Sequence, residues 1–507
     1  MNFPVWDVGF GLPLLIAFVS IPHVFVSHFA IGGGLFLLIY EQQARRLGDN
    51  AMLAYVRCHS RFFLLTTLVF GALTGVGIWF TIGLIHPAAT SSLIHTFVWF
   101  WATEWVMFVV EITASLVYYY GWDRLDAKTH RTVMWVYFFA AWGSLAVING
   151  IITFMLTSGT WPQDRAIWPA FFNATYWPSL VARTLICFLM AGVFAFITAA
   201  WLKDRELRRR INQIATLWSL PSLVLLLGAF WWYKSALPQS VQGIVGGGWM
   251  AIKRAGDVGL WSAIFAAISI IGANILRKDG FTKYQAILTA FFVFMLFGSF
   301  EWYREAARKP YVISGYMYSN GMMVSDTTAI KQAGYIGSIK WKHGNPARHG
   351  EDIYRAACAS CHSLTGYNGL ASRINAKGWT EEQVVNLIPR IGYMRGAMPP
   401  WLGAPDEVVA LGAFLSKEAS ALPKPTGERK RDAAWSANCG LCHTIDGHRP
   451  LRAAMNGLSV ADEKDAVKTS GELSDAMPPF LGSEADVDQI VNYLNSEMAK
   501  TPAKGGK

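Results

Sequence analysis

The chain has 507 residues, 53% of them hydrophobic and only 15% charged, and its mean hydropathy is +0.29. An ordinary soluble domain carries about 25% charged residues, so this composition excludes a protein that is soluble throughout. The apolar runs lie in residues 1–310, whereas residues 340–507 carry Lys, Asp and Glu every few positions, which predicts soluble domains after a membrane domain. The net charge of +10 does not indicate nucleic-acid binding, because many basic residues lie in short loops between apolar runs.

Eight apolar stretches are long enough to cross a bilayer as helices, which takes about 20 residues each. They lie near residues 11–40, 62–84, 95–120, 133–157, 178–202, 212–233, 257–276 and 284–303. The N-terminal residues have no basic segment and no small-residue cleavage site, which indicates the start of the first span and not a cleaved signal peptide.

The basic residues predict the orientation of these spans. Loops after the odd-numbered spans contain fifteen Lys and Arg residues, and loops after the even-numbered spans contain four. Because basic loops face the cytoplasm, the N-terminus and the C-terminal tail are predicted on the opposite side. We therefore expect a multi-pass protein of the bacterial inner (cytoplasmic) membrane with its tail in the periplasm.

Four of the six cysteines belong to two Cys-x-x-Cys-His motifs in the tail. They are Cys358, Cys361 and His362, and then Cys439, Cys442 and His443. This motif attaches a c-type haem through two thioethers, and its histidine is an axial iron ligand, so two covalent haem c groups are predicted. Haem attachment takes place outside the cytoplasm, which agrees with the loop charges. The other cysteines, Cys58 and Cys187, are interpreted as buried thiols without a disulfide.

Each motif is followed by a Met-Pro-Pro-aromatic sequence, which makes an internal repeat. Met398 and Met477 come 36 and 34 residues after their histidines, and a thioether is a common second axial ligand. Met394 and Met455 are alternatives that lack the two prolines. With helices expected near 405–418 and 484–498, each unit resembles the small class I c-type cytochromes.

These features predict an all-α protein made of a polytopic transmembrane helix bundle and two small cytochrome c-like helical domains. The boundaries are a membrane domain at 1–310, a linker at 311–345, and haem domains at 346–422 and 423–507. A Pro-rich charged stretch at 421–431 joins the two haem domains.

Titratable residues inside the spans are costly to bury and are therefore candidate functional residues. Glu104 and Glu111 lie seven residues apart in the third span, roughly on one face, which favours a proton path or an interior site. His23 and His28 in the first span are candidate iron ligands or proton carriers, and His28 is equally compatible with a core histidine. Further polar residues lie near the outer span ends: His86, His95, Arg183, Glu301, Arg304 and Glu305. An interfacial position explains His86 and His95 equally well, and Arg304 is either an anchor or a partner of a nearby glutamate.

Residues 5–320 resemble subunit I of the cytochrome bd quinol oxidases. The likeness rests on PHVFVSHFAIGGG, on FGALTGVGIWF, on EITASLVYYYGWDRL with a following His-Arg and INGIITFM, and on REAARKPYVI. The resemblance implies that His23 and Glu305 hold the high-spin haems at which oxygen is reduced. It also implies that Glu104 and Glu111 serve haem binding and proton delivery, and that a second membrane subunit accompanies the chain.

Several features depart from this family. Its two glutamates are eight residues apart, and the spacing of seven here rotates Glu104 by about 100°. Span five has no histidine for the low-spin haem b, and Arg183 lies near that place. The long quinol-binding loop is reduced to KSALPQSVQGIVGGGWMAIK, and the dihaem tail replaces the final helix. We infer that c haems replace the usual point at which electrons enter, and that His28 is a candidate ligand for a haem absent from the family.

Two functions remain open on this basis. The first is a respiratory oxidoreductase subunit that passes electrons between periplasmic c haems and non-covalent b- or d-type haems, and that reduces oxygen. The alternative is a non-oxidase electron conduit, or a quinone-interacting membrane subunit, of a larger respiratory complex. The expected partners are other respiratory subunits, a soluble periplasmic cytochrome or another electron donor or acceptor, and the lipid bilayer. A transporter is excluded, because the c-haem motifs have no role in it.

Overall fold

The computed structural model describes residues 3–6, 8–246, 250–276, 281–394, 397–424, 431–446 and 449–500. Within these residues, eight helices are long and apolar enough to cross a membrane, which confirms the predicted number. In chain order, spans one to eight are Leu12–Leu47, Asn50–Ile85, Val98–Tyr120, Ala127–Leu156, Tyr176–Ala199, Arg205–Ser235, Ala251–Asn274 and Lys283–Arg308. Shorter helices lie between the spans at Pro87–Thr96, Trp161–Asp164, Ile167–Phe171 and Gln239–Gly246.

Span two begins well before its apolar run. The Asp49 side chain accepts a hydrogen bond from the backbone N–H of Met52 at 2.9 Å and so caps the helix start. This polar first part carries Cys58, which is exposed, whereas Cys187 is buried. The prediction of two buried thiols is therefore wrong for Cys58, because the helix extends beyond the apolar run. Further along, span two contains a π-helical segment at Leu65–Gly71.

The core of the membrane domain lies where spans one and five cross. Gly32 permits this contact, since a β-carbon there would lie 1.8 Å from the carbonyl oxygen of Cys187. Phe29 of span one stacks on Phe194 of span five with ring centroids 4.0 Å apart. This close crossing brings His28 on span one towards the polar residues of span five.

The segment after span eight packs onto the first haem domain. It forms an antiparallel hairpin of β1 (Tyr311–Ile313) and β2 (Met317–Tyr318), followed by the helix Thr327–Ser338. The buried carboxylate of Glu407 accepts hydrogen bonds from the backbone N–H groups of Tyr335 at 2.9 Å and Ile336 at 2.8 Å. The stretch expected as a linker is thus joined to the haem domain by buried hydrogen bonds.

The two haem domains repeat one helical arrangement. The helices of the first are His349–Ala357, Leu370–Lys377, Glu381–Leu387 and Pro405–Ser420. Those of the second are Ala433–Ala437, Arg452–Met455, Val460–Lys468, Ser470–Leu473 and Glu484–Met498. In both domains the helix before the cysteine motif packs against the last helix, and both predicted closing helices are confirmed. Most of the predicted joining stretch, 425–430, lies outside the described residues.

Candidate functional site

Both Cys-x-x-Cys-His motifs fold into the same turn. The backbone N–H of His362 donates to the Cys358 carbonyl, and that of His443 donates to the Cys439 carbonyl, each at 2.9 Å. Each imidazole Nδ1 also lies close to the carbonyl oxygen six residues later, 2.9 Å for His362 and 3.0 Å for His443. This hydrogen bond fixes the tautomer and leaves Nε2 to coordinate iron, so both motifs fit a covalently attached haem.

The two Met-Pro-Pro loops are also built alike. In each loop the second proline packs against a glycine eight residues earlier: a β-carbon on Gly392 would lie 3.1 Å from Pro400 Cα, and one on Gly471 would lie 2.8 Å from Pro479 Cα. Met398 and Met477 are half-buried in these equivalent positions.

The alternative methionines differ in their surroundings. Met455 is buried in the hydrophobic core of the second domain, whereas Met394 is half-buried close to the first Met-Pro-Pro loop. Burial in the core argues against Met455, and the assignment of Met398 and Met477 as second axial ligands stays a prediction.

The first haem motif lies directly on the outer end of span eight. The Lys309 ammonium is 3.8 Å from Cys361 Sγ and 3.0 Å from a carboxylate oxygen of Glu305, which also pairs with Arg308. Burial lowers the pKa of His362 to about 4, so its imidazole is neutral at neutral pH. The predicted haem-attachment site and the predicted membrane haem ligand are thus separated by a single lysine side chain.

His86 belongs to the same outer cluster, whereas His95 does not. Burial lowers the pKa of His86 to about 3, and the positive charge of Lys309 contributes to the same shift. His95 is exposed, and its Nδ1 lies 2.7 Å from the carbonyl oxygen of Ser91 in its own helix. The interfacial interpretation therefore fits His95, and His86 instead faces the ion pairs around Glu305.

The two histidines of span one face different neighbours. His23 Nδ1 lies 3.1 Å from the carbonyl oxygen of Gly71 and 3.2 Å from Thr74 Oγ1, both in span two. His28 Nδ1 lies 2.7 Å from the carbonyl oxygen of Val24, and its buried Nε2 has no hydrogen-bond partner among the described residues. Each imidazole is thus fixed through Nδ1, as in a histidine that coordinates iron through Nε2.

Glu104 and Glu111 both face span four despite their spacing. Glu104 accepts a hydrogen bond from Ser144 Oγ at 3.0 Å. Glu111 lies 3.1 Å from the hydroxyl of Tyr137, which is 3.0 Å from the carbonyl oxygen of Ala30 in span one. Because Tyr137 has only one proton for two acceptors, a protonated Glu111 can donate to it while it donates to Ala30. This arrangement can relay a proton between spans three and one.

Sequence reasoning missed two buried polar groups. In the first, Glu41 accepts hydrogen bonds from His130 Nδ1 and Arg45 Nε, both at 2.7 Å. In the second, His59 Nδ1 lies 3.0 Å from Thr198 Oγ1. The only sequence feature that pointed to His130 was the His-Arg pair after span three, which resembles the family. No sequence feature pointed to His59, because it precedes the apolar run of span two.

Comparisons with known proteins agree with these features. Residues 14–233 match the family model of cytochrome bd terminal oxidase subunit I. Residues 345–415 match that of cytochrome c oxidase, cbb3-type, subunit III. The solved bd oxidase from Geobacillus thermodenitrificans has 15% sequence identity and a TM-score of 0.50, with 61% of this chain and 90% of that chain covered. At that identity the likeness shows the fold alone. No curated protein matches the chain.

Fold and motifs together define a multi-span membrane haemoprotein of respiratory electron transfer. Its membrane domain is similar to cytochrome bd terminal oxidase subunit I, and a domain similar to a cytochrome c follows it. The predicted fold class and the predicted resemblance are both confirmed. The matched family is one of terminal oxidases, which are oxidoreductases, and the eight spans are consistent with a location in the bacterial inner membrane.

Proposed function

We propose that the chain is a subunit of a terminal oxygen reductase whose electrons enter from a periplasmic donor through two c haems. The observation that carries this proposal is the position of Lys309 between Cys361 and Glu305. Electrons that reach the first c haem are then next to the outer end of span eight. No quinol-binding loop is required for such a route, which fits the short connection between spans six and seven.

Contacts between the haem domains support an order in which the second precedes the first. Lys377 Nζ donates to the carbonyl oxygen of Ser436 at 2.6 Å, and Trp379 Nε1 donates to that of Ala437 at 3.0 Å. Both acceptors come just before Cys439, the first cysteine of the second motif. The second haem domain is thereby held on the first, and we infer that it is the one that receives electrons from a soluble donor.

The residues fit the haems that this function needs. Haem iron supplies one-electron and oxygen chemistry, with a potential that the axial ligands set. We assign the c-haem iron ligands to His362 with Met398 and to His443 with Met477. In the membrane domain, His23, Glu305 and His28 are the candidate ligands, because each is a His or Glu held in place by a defined hydrogen bond or ion pair.

Oxygen reduction to water consumes one proton for every electron. Glu111 and Tyr137 are suited to supply protons, because their hydrogen bonds join span three to span one near the Gly-rich segment after His28. Glu104 is bonded only to Ser144 among the described residues and has no such link. We therefore assign proton delivery mainly to Glu111.

An electron conduit without oxygen chemistry is the second candidate. It is favoured by Arg183, which lies near the place of the family's low-spin haem ligand and is engaged by Glu301 at 3.2 Å. A membrane domain without the low-spin haem site can also lack the haem iron at which oxygen is reduced. In that case the partners would include a separate catalytic or quinone-binding subunit.

Oxygen uptake by the purified complex separates the two candidates. Ascorbate and a mediator dye reduce the c haems without quinol. If the chain belongs to an oxygen reductase, we expect sustained oxygen uptake under these conditions, and we expect His23→Ala to abolish it. Exposed His95→Ala is the matched control and is expected to keep full activity. Full reduction of the c haems without oxygen uptake would establish the conduit instead.

A further inference from the structure

Two arginines share one glutamate inside the membrane domain. Arg183 of span five contacts Glu301 of span eight at 3.2 Å, and Arg304 donates to the same carboxylate at 2.7 and 2.9 Å. The Arg183 side chain is 4% exposed, and the other two are about 15% exposed. Two guanidinium groups face one carboxylate, so this group has a net positive charge, which is costly in a membrane interior unless another anion neutralises it.

Several buried hydrogen-bond donors in this group find no acceptor among the residues that the structure describes. They are Arg183 Nε, Arg304 Nη1 and the hydroxyl of Tyr233. Tyr233, from span six, lies within electrostatic range of Arg183, Glu301 and Arg304. Buried donors are normally paired, so donors from three spans around one positive centre indicate a ligand with acceptor oxygens.

His28 borders the same group. Its imidazole packs edge-on against Phe297, one helical turn before Glu301, with ring centroids 5.0 Å apart. The charges of Arg183 and Glu301 act on this imidazole, and its buried Nε2 has no partner within the described part of the chain. A potential iron ligand and a potential carboxylate site therefore lie side by side.

We propose that Arg183, Arg304 and Tyr233 bind a propionate carboxylate of a membrane haem whose iron is coordinated by His28 Nε2. One added carboxylate balances the second guanidinium, and its oxygens accept from the unpaired donors. The site rests on the proposed function only in requiring a non-covalent haem in the membrane domain. This site would give the chain a haem in place of the low-spin haem of the family, for which span five has Arg183 and no histidine ligand.

Redox titration of the membrane haems in the full-length holoprotein tests this proposal. Loss of a nearby cation favours ferric haem, so Arg183→Gln and Arg304→Gln are expected to lower the midpoint potential of one non-c haem. We expect the reduction equilibrium to shift about tenfold, which is 59 mV for one electron. Arg183→Lys is expected to keep most of the potential, and the c haems are expected not to change.

Two further variants complete the test. Arg210→Gln removes a half-exposed arginine at the opposite end of the membrane domain and is expected to have no effect. His28→Ala is expected to remove one non-c haem from the pyridine haemochrome count and to leave the c-haem count unchanged. Normal potentials and normal haem content in Arg183→Gln, Arg304→Gln and His28→Ala would overturn the proposal.

The carboxylate source and the folding of the variants need separate readouts. Native mass spectrometry compares the wild type with Arg183→Gln. If the variant loses a bound phosphate or lipid while its haem content is unchanged, the site belongs to another anion and the proposal is overturned. If the variants do not fold, wild-type protein with carboxyl-labelled haem is measured by redox difference infrared spectroscopy. In that experiment, the proposal is overturned if no labelled carboxylate signal changes when the non-c haem is reduced. Absent oxygen uptake would contradict the proposed function without affecting these results.

Discussion

The guanidinium of Arg449 lies over the ring of Tyr393, 5.4 Å from its centroid. The backbone carbonyl of Arg449 accepts the hydrogen bond of the His443 imidazole, and Tyr393 lies five residues before Met398. This contact therefore joins the histidine side of the second haem site to the methionine loop of the first. We propose that electrons pass between the two domains where these two loops meet.

Tyr393→Leu should slow electron delivery to the membrane domain. An exposed cation–π contact contributes about 0.5–1 kcal/mol, which is a factor of about 2 to 5 in the docking equilibrium of the two domains, so the rate should fall by up to that factor. Stopped-flow mixing with a reduced soluble cytochrome, followed at the membrane haem, measures this rate. Tyr393→Trp keeps an aromatic face and should preserve it, and equal rates for Leu, Trp and wild type would rule out this contact as a connection.

Met398→Leu and Met477→Leu should each remove the sulfur ligand of one c haem. Because thioether ligation raises the potential, the affected haem should lose its sulfur-to-iron charge-transfer band and titrate at a lower potential. Met394→Leu is the matched control, since this residue lacks the two prolines. The assignment is wrong if Met394→Leu loses the band and Met398→Leu keeps it.

Lys309→Met should impede transfer from the first c haem into the membrane domain. The change removes the cation between Cys361 and Glu305 and leaves the partly buried Glu305 with only Arg308 as an ion-pair partner among the described residues. A rate reduced about tenfold corresponds to about 1.4 kcal/mol in the barrier. Lys309→Arg keeps the charge and should stay close to wild type, and a rate insensitive to both changes would place the electron route elsewhere.

Glu407→Ala should destabilise the first haem domain and its attachment to the segment after span eight. The carboxylate accepts three backbone hydrogen bonds, from Tyr335, Ile336 and Ala404. Leaving these buried donors unpaired should cost about 2–5 kcal/mol and lower the thermal unfolding temperature of that domain. Asp406→Asn, an exposed neighbour in the same helical turn, should have a much smaller effect, and similar losses for both would refute a special role for Glu407.

Glu111→Gln should lower oxygen-reduction turnover more than Glu104→Gln. A positioned proton donor contributes about 10²–10⁴-fold, and only Glu111 is linked through Tyr137 to span one. Tyr137→Phe should lower turnover less, because water can replace a single hydroxyl in a relay. Oxygen uptake at fixed c-haem reduction measures all three variants, and the opposite order for the two glutamates would reassign the proton path.

The sequence was sufficient to predict the spans and the local turn of each Cys-x-x-Cys-His motif. Each span contains an apolar run long enough to cross a bilayer, and each haem motif is a local turn with its ligand at fixed spacing. The ends of the spans were less predictable. Span two continues from its apolar run back to Asn50, because polar residues such as Arg57 and Arg61 extend a helix outside the membrane.

Pairings between distant segments could not be predicted in the same way. Arg183 and Glu301 are 118 residues apart, and their contact depends on how spans five and eight pack. The position of Lys309 beside Cys361 depends likewise on how the haem domain sits on the membrane domain. Of the two partners open to Arg304, the structure selects Glu301, which lies one helical turn away and is shared with Arg183.

The most direct test is a reduced-minus-oxidised spectrum of the purified protein with and without carbon monoxide, together with pyridine haemochrome quantitation. The account predicts two c haems per chain and at least one non-c haem whose reduced spectrum shifts with carbon monoxide, since oxygen reduction needs an open iron position. Non-c haem that does not respond to carbon monoxide, or its complete absence, would contradict the oxygen-reductase proposal.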